Sequence, residues 1–389
     1  MEQMDINIKP SALVIGGANG IGLAIAITLY RQGKVVCIAD KDAPSAEAEG
    51  ITFLRVNLLD NDFSFLNDFR EIDTLIFTAG FGRVAGFETI LAPEIDNSFR
   101  VNAVALTKVL RFFFPRMLEE RRFYCTVMGS ISGLISSPLI ALYGATKAAV
   151  CSITESLNAE LEAAGSPNRI LNVSPGSIKG TRFNGGDNNL NETMPLAAQI
   201  VESMQGGQTL YIPDYDKTYK GVLERYHADP CQFGLDAVRY KKESGRINPR
   251  PQIKIGYLSG TFDLFHIGHL NILRRAKQMC DYLVVGVHRD ASHKGKTAFI
   301  PFEERCEIVQ SIKFVDRVIP SEREDCDVWL KNIVKYDYLF VGSDYKGTER
   351  FNRYEEIFSD KDVKIIYLPY TKGTSSTQLR DALTHHLKV

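Results

Sequence analysis

The chain has 389 residues, which is too long for one ordinary hydrophobic core and sufficient for two domains of common size. Hydrophobic residues make up 44% and charged residues 24%, a balance typical of globular proteins. The formal net charge of −1 excludes a global field that would draw the protein to nucleic acid or to an anionic membrane, so any phosphate site must be local.

The N-terminal stretch MEQMDINIKPSALVIGG lacks the basic start and the long apolar run of a signal peptide. The longest apolar runs are far shorter than the roughly 20 residues of a membrane span. Seven cysteines are scattered without a CxxC pair, which disfavours a disulfide framework or a zinc site. We therefore expect a cytoplasmic protein that works without a membrane or a nucleic-acid partner.

Short β-rich runs alternate with helix-like stretches along residues 1–215: ALVIGG, KVVCIAD, ITFLRVN, DTLIFTAG, FYCTVMGS and RILNVSPG. A second series occupies residues 253–389: IKIGYLSG, YLVVGVH, RVIPS, YLFVG and KIIYLPY. Strands that alternate with helices pair in parallel. The sequence therefore predicts an α/β protein with two Rossmann-like, doubly wound parallel-sheet domains.

Between these series, residues 216–252 lack strand-like runs and are rich in Lys, Arg, Glu and Tyr. The NPRP segment just before Ile253 is typical of a boundary. We interpret residues 216–252 as a partly helical connector. The alternative is that they belong to the first domain as a substrate or dimer element, and both readings stay open.

A glycine-rich turn follows the first strand-like run, with Gly16, Gly20 and Gly22 at the start of a helix-like stretch. Glycines there let the backbone approach a pyrophosphate, which a helix N-terminus favours. Asp40 ends the next strand-like run, where a carboxylate accepts hydrogen bonds from an adenine-ribose diol. Because it would repel a 2′-phosphate, NAD(H) is favoured over NADP(H), although the neighbouring Lys41 weakens that preference.

Tyr143 and Lys147 lie four residues apart in YGATK, so on a helix the ammonium lies near the phenol. A cation there favours the phenolate and predicts a Tyr143 pKa below the ordinary value of about 10. Ser130 lies just past the strand-like run FYCTVMG and can hydrogen-bond the same carbonyl oxygen. Each residue alone is unremarkable, but together with the glycine turn they indicate a carbonyl-reducing site.

Residues 11–182 resemble the short-chain dehydrogenase/reductase family in the glycine turn, Thr78-Ala79-Gly80, Asn102, Ser130, the YxxxK pair and Pro175-Gly176. The resemblance implies that Tyr143 is the general acid/base, that Lys147 binds the nicotinamide ribose and tunes Tyr143, that Ser130 polarises the carbonyl, and that Asn102 supports a proton-relay water. It also implies a cofactor site formed by Gly16, Gly20, Gly22, Asp40, Ala79, Gly80, Lys147, Pro175 and Gly176. Three departures are Ile15 in place of Thr, Thr78 where Asn is common, and the lack of a clear large substrate lid after Gly176.

In the second domain, His266 and His269 flank Gly268 in GYLSGTFDLFHIGH, so at a helix start both imidazoles face one point. Each can donate to a phosphoryl oxygen, and phosphoryl transfer needs positioned positive charge more than a covalent nucleophile. Further charge and anion-binding groups follow at Lys294, Lys296, Arg305 and the segment Thr371–Thr377. No third Cys or His partner lies nearby in the sequence, so no metal site is predicted.

The segment Lys254–Leu383 resembles the glycerol-3-phosphate cytidylyltransferase family through the HxGH motif and through CDYLVVGVHRD, FEERCEIVQSIKFVDRVIP, YLFVGSDYKG and YLPYTKGTSST. The resemblance implies that His266 and His269 stabilise the transition state at the α-phosphate of CTP, which enters with Mg²⁺, and that Lys294 and Arg305 assist catalysis. It implies a nucleotide site formed by Gly260, Thr261, Phe262, His266, His269, Lys294, Lys296, Asp344, Thr371, Ser375 and Ser376. Tyr370 replaces an Arg of the family, and Lys372 stands where Glu is usual.

Together the two halves predict a bifunctional enzyme that reduces a keto sugar phosphate to a polyol phosphate and couples the product to CTP, giving CDP-ribitol or CDP-glycerol and pyrophosphate. Two alternatives stay open. In the first, the reductase fold is a dimerisation or NAD-sensing scaffold beside an active transferase. In the second, the halves catalyse unrelated steps, and the transferase makes an adenylylated product. Both families commonly form oligomers, so we expect a dimer or a tetramer.

Overall fold

The structure is a computed structural model that describes residues 9–44, 48, 50–181, 183, 187–248, 253–290, 297–321, 324–371, 373, 378–380 and 382. The chain divides into two compact units, Met1–Gln252 and Ile253–Val389. Each unit is an α/β fold around one parallel sheet, as the alternation of strands and helices predicts.

The first unit holds a seven-stranded sheet in the order β3-β2-β1-β4-β5-β6-β7, and every neighbouring pair is parallel. Its strands are β1 Ala12–Ile15, β2 Val36–Asp40, β3 Thr52–Arg55, β4 Thr74–Phe77, β5 Tyr124–Met128, β6 Arg169–Val173 and β7 Leu210–Tyr211. The order reverses at β1, so the loops that leave β1 and β4 border a crevice at the carboxyl ends of the strands. Ligands of doubly wound sheets bind at such a switch point.

The helices of the first unit are α1 Gly20–Arg31, α2 Ala92–Phe99, α3 Leu106–Met117, α4 Ala141–Ala163, α5 Leu190–Gln205, α6 Lys220–Ala228 and α7 Pro230–Glu243. Helices α3 and α4 pack on one face of the sheet and α1 and α5 on the other, and successive strand residues point to these opposite faces. Leu13 and Ile15 of β1 pack into one buried cluster, whereas Ala12 and Val14 pack into another. The continuous apolar runs of the sequence are therefore strands buried on both sides.

The second unit holds a five-stranded parallel sheet in the order β10-β9-β8-β11-β12. Its strands are β8 Ile255–Gly260, β9 Tyr282–His288, β10 Arg317–Ser321, β11 Tyr338–Gly342 and β12 Lys364–Leu368, and its helices are α8 Ile267–Lys277, α9 Phe302–Gln310, α10 Asp325–Leu330 and α11 Glu349–Phe358. The strand order reverses at β8, whose carboxyl end leads directly into the HxGH segment. This sheet therefore also brings its motif to a switch point.

Residues 216–248 form α6 and α7 and pack against the first unit. A small buried cluster of Ile131, Ile135 and Ile212 is covered by apolar side chains of this segment. These are Tyr219, Val222, Leu223, Tyr226 and Phe233. Helix α7 begins at Pro230, and the Asp229 side chain caps it by accepting a hydrogen bond from the Gln232 amide at 2.9 Å. Within the part of the chain that the structure describes, no helix combines the length and apolarity that crossing a membrane requires.

Candidate active sites

The glycine turn after β1 is packed so closely that side chains would not fit. Gly16 has a φ of +88°, and a Cβ there would lie 2.3 Å from the Ala79 nitrogen. The Thr78 hydroxyl donates to the Gly16 carbonyl at 2.9 Å, and a Cβ on Gly22 would lie 2.4 Å from that hydroxyl. Thr78, a departure from the family pattern, thus ties the end of β4 to the turn.

Asp40 lies at the end of β2, beside the glycine turn. Its carboxylate accepts hydrogen bonds from the amides of Ala18 at 3.0 Å and Asp42 at 3.1 Å, while burial raises its pKa above the ordinary value. Asn19, the N-cap residue of α1, makes no side-chain cap bond to that helix. A helix N-terminus without a side-chain cap and a fixed carboxylate on the next strand fit the diphosphate and the ribose of a dinucleotide.

Asn102 lies in a π-helical segment, Arg100–Ala105, between α2 and α3. Its side-chain oxygen accepts from the Phe81 amide at 3.0 Å, and its side-chain nitrogen donates to the Phe81 carbonyl at 2.8 Å and to the Thr146 hydroxyl at 3.0 Å. Such π segments are frequent at functional sites. Asn102 therefore joins the loop after β4 to α4, the helix of Tyr143 and Lys147.

Lys147 is 2% exposed, and its ammonium donates to the Met128 carbonyl at 2.7 Å. It lies 5.5 Å from the centre of the Tyr143 ring, as the four-residue spacing on α4 predicts. Burial lowers the pKa of Lys147 to about 8. The structure therefore brings Lys147 and Tyr143 together. Asn102 is linked to them through its hydrogen bond with Thr146, the residue before Lys147.

Tyr143 corrects one expectation. The sequence predicts that Lys147 lowers its pKa, but in this chain burial raises the pKa of Tyr143 to about 12, and a side-chain hydrogen bond with Ser130 only partly opposes the rise. Ser130 itself is buried, caps the turn Ile131–Gly133 and reaches the Pro175 carbonyl at 3.4 Å. The phenol is thus held protonated, as a proton donor beside Ser130.

Three further residues of the first site cannot be identified from the sequence: two lie against the Tyr143 ring, and one contacts the loop after β6. A Cβ on Gly82 would lie 2.4 Å from the ring, so only glycine leaves the ring its place. The Phe183 ring lies 5.0 Å from that of Tyr143. The hydroxyl of Tyr219, just before α6, makes a backbone hydrogen bond with Gly176. No motif marks these positions, although apolar residues spaced as Tyr219, Leu223 and Tyr226 are typical of a helix that packs on a core.

A cleft of about 880 Å³ opens beside the residues that lead into α6. It is lined by apolar and charged side chains: Leu134, Leu210, Tyr211, Ile212, Asp214, Tyr215, Asp216, Lys217, Leu223 and His227. Leu134 follows the turn that Ser130 caps, so the cleft adjoins the loop between Ser130 and Tyr143.

In the second unit, His266 and His269 form the start of α8. His266 is the N-cap residue, and its Nδ1 accepts from the Gly268 amide at 3.0 Å, while His269 Nδ1 accepts from the His266 amide at 3.4 Å. The two rings stack with centres 4.0 Å apart, and burial lowers the His266 pKa below its ordinary value. Because both Nδ1 atoms accept, a neutral ring carries its proton on Nε2, the donor that a phosphoryl oxygen needs.

The loop between β8 and α8 is strained. Phe262 and Leu264 have φ values of +52° and +48°, a region that side chains rarely adopt and that is typical of functional sites. Between them, the buried Asp263 accepts from the amides of Phe299 and Ile300. The Thr261 hydroxyl is buried and has no hydrogen-bond partner within the described part of the chain. An unsatisfied hydroxyl on the loop that leads to the histidines fits a bound nucleotide.

Arg305 lies on α9 and is 1% exposed. Its guanidinium donates to four backbone carbonyls, those of Ile300 at 2.9 Å, Thr261 at 2.5 Å, His288 at 2.8 Å and Arg289 at 3.0 Å. Four of its five N–H groups are thus committed to the protein. These bonds fix the loops around Arg305, and its role in phosphate binding stays a prediction.

The remaining predicted nucleotide residues are placed as follows. Gly260 ends β8, and Thr371 accepts a hydrogen bond from the Asn271 side chain at 3.5 Å. Asp344 is exposed in the turn Ser343–Tyr345 after β11, and Tyr370 is 64% exposed. Lys294, Lys296, Lys372, Ser375 and Ser376 lie outside the described residues.

The chain is thus similar to known proteins in two separate stretches. A family model described as short chain dehydrogenase matches residues 10–191, and one described as cytidylyltransferase-like matches residues 257–382. The two parallel-sheet folds and the two family models define an enzyme that joins a short-chain oxidoreductase to a nucleotidyltransferase, and it is bifunctional. Through its second unit, the chain belongs to the glycerol-3-phosphate cytidylyltransferase family.

Individual relatives and solved structures are each similar to part of this chain. The glycerol-3-phosphate cytidylyltransferase of Bacillus subtilis is 37% identical over 129 residues, which cover 32% of this chain and 92% of that protein. The ethanolamine-phosphate cytidylyltransferase of Mus musculus is 50% identical over 127 residues, 32% of this chain and 31% of that one. A short-chain dehydrogenase from Streptomyces avermitilis matches structurally with a TM-score of 0.46 and 19% identity, covering 61% of this chain and 98% of that one.

Proposed function

We propose that the first site reduces a phosphorylated keto sugar to a polyol phosphate and that the second site couples this product to CTP. The products are a CDP-polyol and pyrophosphate, with CDP-ribitol and CDP-glycerol as the two candidates. One observation carries the proposal: a complete carbonyl-reducing set and a paired-histidine phosphoryl site lie on one chain, and an alcohol phosphate is the one compound class that the first makes and the second uses.

The reductase residues supply the proton and the positioning. Bound NAD(P)H would supply the hydride to the carbonyl carbon. Tyr143, which its high pKa keeps protonated, gives its proton to the carbonyl oxygen, and Ser130 donates to the same oxygen while negative charge develops there. Lys147 holds positive charge next to the phenol that loses the proton. Asn102 fixes the loop and the helix that carry these groups.

In the second site, a phosphate oxygen of the polyol phosphate attacks the α-phosphorus of CTP. The bond between that phosphorus and the oxygen bridging to the β-phosphate breaks, and pyrophosphate leaves. The Nε2 donors of His266 and His269 stabilise the charge on the oxygens at the α-phosphorus. The buried Thr261 hydroxyl supplies one more donor at the same loop.

We infer NAD(H) as the preferred cofactor, because Asp40 presents a carboxylate where a 2′-phosphate would lie. Mg²⁺ would enter with CTP, whose phosphates would hold it, as is usual for this ion. We further infer a homodimer or homotetramer in the cytoplasm. Light scattering coupled to size-exclusion chromatography measures the oligomer, and a monomer at micromolar concentration would refute it.

The proposed function is tested with the purified chain, CTP, Mg²⁺, NADH or NADPH, and ribulose 5-phosphate or dihydroxyacetone phosphate. We expect oxidation of the cofactor at 340 nm and, by chromatography, one CDP-polyol. Tyr143→Phe is expected to lower the reductase kcat by about 10²- to 10⁴-fold, since it removes the donated proton.

The same Tyr143→Phe chain should convert added polyol phosphate and CTP at the wild-type rate. Absence of cofactor oxidation with every keto phosphate would refute the coupled reaction. Unchanged polyol output from Tyr143→Phe would instead make the reductase fold a scaffold, and a preference for ATP over CTP would make the transferase an adenylyltransferase.

A further inference from the structure

Helix α7 and the residues after it lie over the loops that surround Tyr143. The Lys241 ammonium donates to the Ser137 hydroxyl at 2.6 Å and to the Pro138 carbonyl at 2.7 Å. Ser137 and Pro138 belong to the loop between Ser130 and Tyr143. Lys241 thus reaches the loop at the carboxyl end of β5 that carries Ser130 and leads into α4, the helix of Tyr143.

The chain after α7 is bonded to a second loop of the same site. The Asn248 amide donates to the Val84 carbonyl at 2.7 Å, and the buried Arg83 donates to the Asn248 carbonyl at 2.8 Å. Arg83 and Val84 directly follow Gly82, the glycine that packs on the Tyr143 ring. The backbone two residues after Arg246 is therefore fixed to the loop at the carboxyl end of β4.

A third contact joins this segment to the loop after β6. The Tyr219 hydroxyl makes a backbone hydrogen bond with Gly176, next to Pro175, whose carbonyl lies 3.4 Å from the Ser130 hydroxyl. Burial raises the pKa of Tyr219 and lowers that of Lys241, while the Arg246 charge acts to lower both, so these three side chains lie within range of one another's charge. The segment 219–248 therefore contacts the loops after β4, β5 and β6, which surround the reacting groups.

Two cations near each other, one of them half-buried, are unfavourable unless an anion joins them. Burial and the Arg246 charge lower the pKa of Lys241 to about 8, as expected for a cation without a carboxylate at its side. Neither Lys241 nor Arg246 makes an ion pair with a carboxylate among the residues that the structure describes. The guanidinium of Arg246 packs 5.1 Å from the Tyr240 ring, which leaves its edge accessible.

We propose that Lys241 and Arg246 form the subsite that binds the phosphate group of the keto substrate in the first unit. A phosphate dianion would satisfy both charges and would accept hydrogen bonds from both. The subsite rests on the proposed reduction of a keto phosphate and gives that reaction its selectivity. It also gives residues 216–248 a role as a substrate element of the reductase.

The test compares Lys241→Gln and Arg246→Gln with Lys242→Gln, an exposed neighbouring cation that serves as the matched control. We measure steady-state reduction of each keto phosphate and of its unphosphorylated counterpart, ribulose or dihydroxyacetone. The subsite predicts that KM for the keto phosphate rises about tenfold or more in the first two variants, with kcat within about twofold. Turnover of the unphosphorylated ketose should not change in any variant.

Arg246 is exposed, so its variant preserves folding if Lys241→Gln does not. If the wild-type chain reduces a keto phosphate and both variants keep its KM, the subsite is refuted and the proposed function stands. If the wild-type chain reduces none, the proposed function fails, and a second readout decides on the subsite.

That readout is the rate at which an amine-acylating reagent modifies Lys241, followed by peptide mass spectrometry with and without inorganic phosphate. Phosphate is expected to slow the modification of Lys241 and not that of Lys242 in the same peptide. Equal rates with and without phosphate would overturn the subsite independently of any turnover.

Discussion

Burial moves the pKa values of Tyr143 and Lys147 in opposite directions, because it disfavours the charged form of each group. The phenol is held neutral to about pH 12, and the ammonium loses its proton near pH 8. At neutral pH the pair is therefore poised as a proton donor beside a cation, the state that carbonyl reduction requires.

This difference predicts the pH profile of the reductase. Lys147 is charged below its pKa of about 8 and neutral above it, whereas Tyr143 stays protonated throughout that range. We expect kcat/KM for the keto phosphate to fall as the pH rises above about 8, since this ratio reports ionisations of the free enzyme. Stopped-flow measurement from pH 6 to 10 checks it, and a rate that stays level to pH 10 would contradict it.

His266 predicts a pH effect on stability. Burial lowers its folded pKa below the ordinary value of about 6.5, so between those two values the unfolded chain binds more protons than the folded one. The free energy of unfolding of the second unit should therefore fall as the pH drops below about 6.5. Fluorescence of Trp329, the single tryptophan of the chain, reports unfolding of this unit within the full protein.

The matched variant is His266→Asn, because asparagine also caps helix N-termini but does not titrate. We expect the variant to lose part of the acid-dependent decline in the free energy of unfolding while keeping the rest, which other groups contribute. Identical pH dependence in the two proteins would show that His266 titrates as it does in the unfolded chain.

Among the structural elements, the loops at the carboxyl ends of β8 and β9 depend on one side chain from α9. Arg305 donates to one carbonyl in the loop after β8, to two where β9 ends and its loop begins, and to one just before α9. These loops carry Thr261 and the strained Phe262, which precede the histidines. Arg305 therefore acts as a positioning residue for the transferase loop.

Arg305→Lys should destabilise the second unit by about 3 kcal/mol, since a lysine has three donors for four buried carbonyls and cannot spread them as a guanidinium does. Denaturant unfolding followed by Trp329 fluorescence measures the loss. Arg317→Lys, on the exposed start of β10, is the control and should change the free energy of unfolding by less than about 0.5 kcal/mol. An Arg305→Lys midpoint equal to that of the wild type would contradict the positioning role.

The sequence predicts most elements because hydrophobic pattern and glycine placement are local properties. It misses β7, Leu210–Tyr211, since two residues at a sheet edge leave no periodic signal. It also does not reveal that Arg305 bonds four backbone carbonyls, because such bonds leave no trace in side-chain identity. The raised Tyr143 pKa escapes it for a related reason: burial depends on what the fold packs around the phenol.

At the scale of the whole molecule, the two active sites belong to separate compact units, each with its own sheet and core. The glycine turn, Tyr143 and the segment 219–248 belong to the first unit, and the paired histidines belong to the second. The described residues of each candidate site lie within one unit, so we expect the two reactions to be separable by single substitutions.

Separable sites predict complementation. A mixture of Tyr143→Phe chains and His269→Asn chains should make CDP-polyol from keto phosphate, CTP and NAD(P)H, because the polyol phosphate released by one chain reaches the other through solution. Chromatography should detect a lag that shortens as the concentration of the Tyr143→Phe chain increases. Failure of the mixture, with each remaining single reaction intact, would indicate that the intermediate passes directly between sites.

The backbone of Asn248, bonded through its amide to Val84 and through its carbonyl to Arg83, limits how such a gene can be rearranged. A recombination event that exchanged the nucleotidyltransferase would have to leave the chain intact up to that asparagine. A break before it would remove residues that bond to the loops of the reductase site. The seam open to gene fusion is then residues 249–252. Gene fusions that keep the reductase active are therefore expected to retain α6 and α7, whichever transferase follows them.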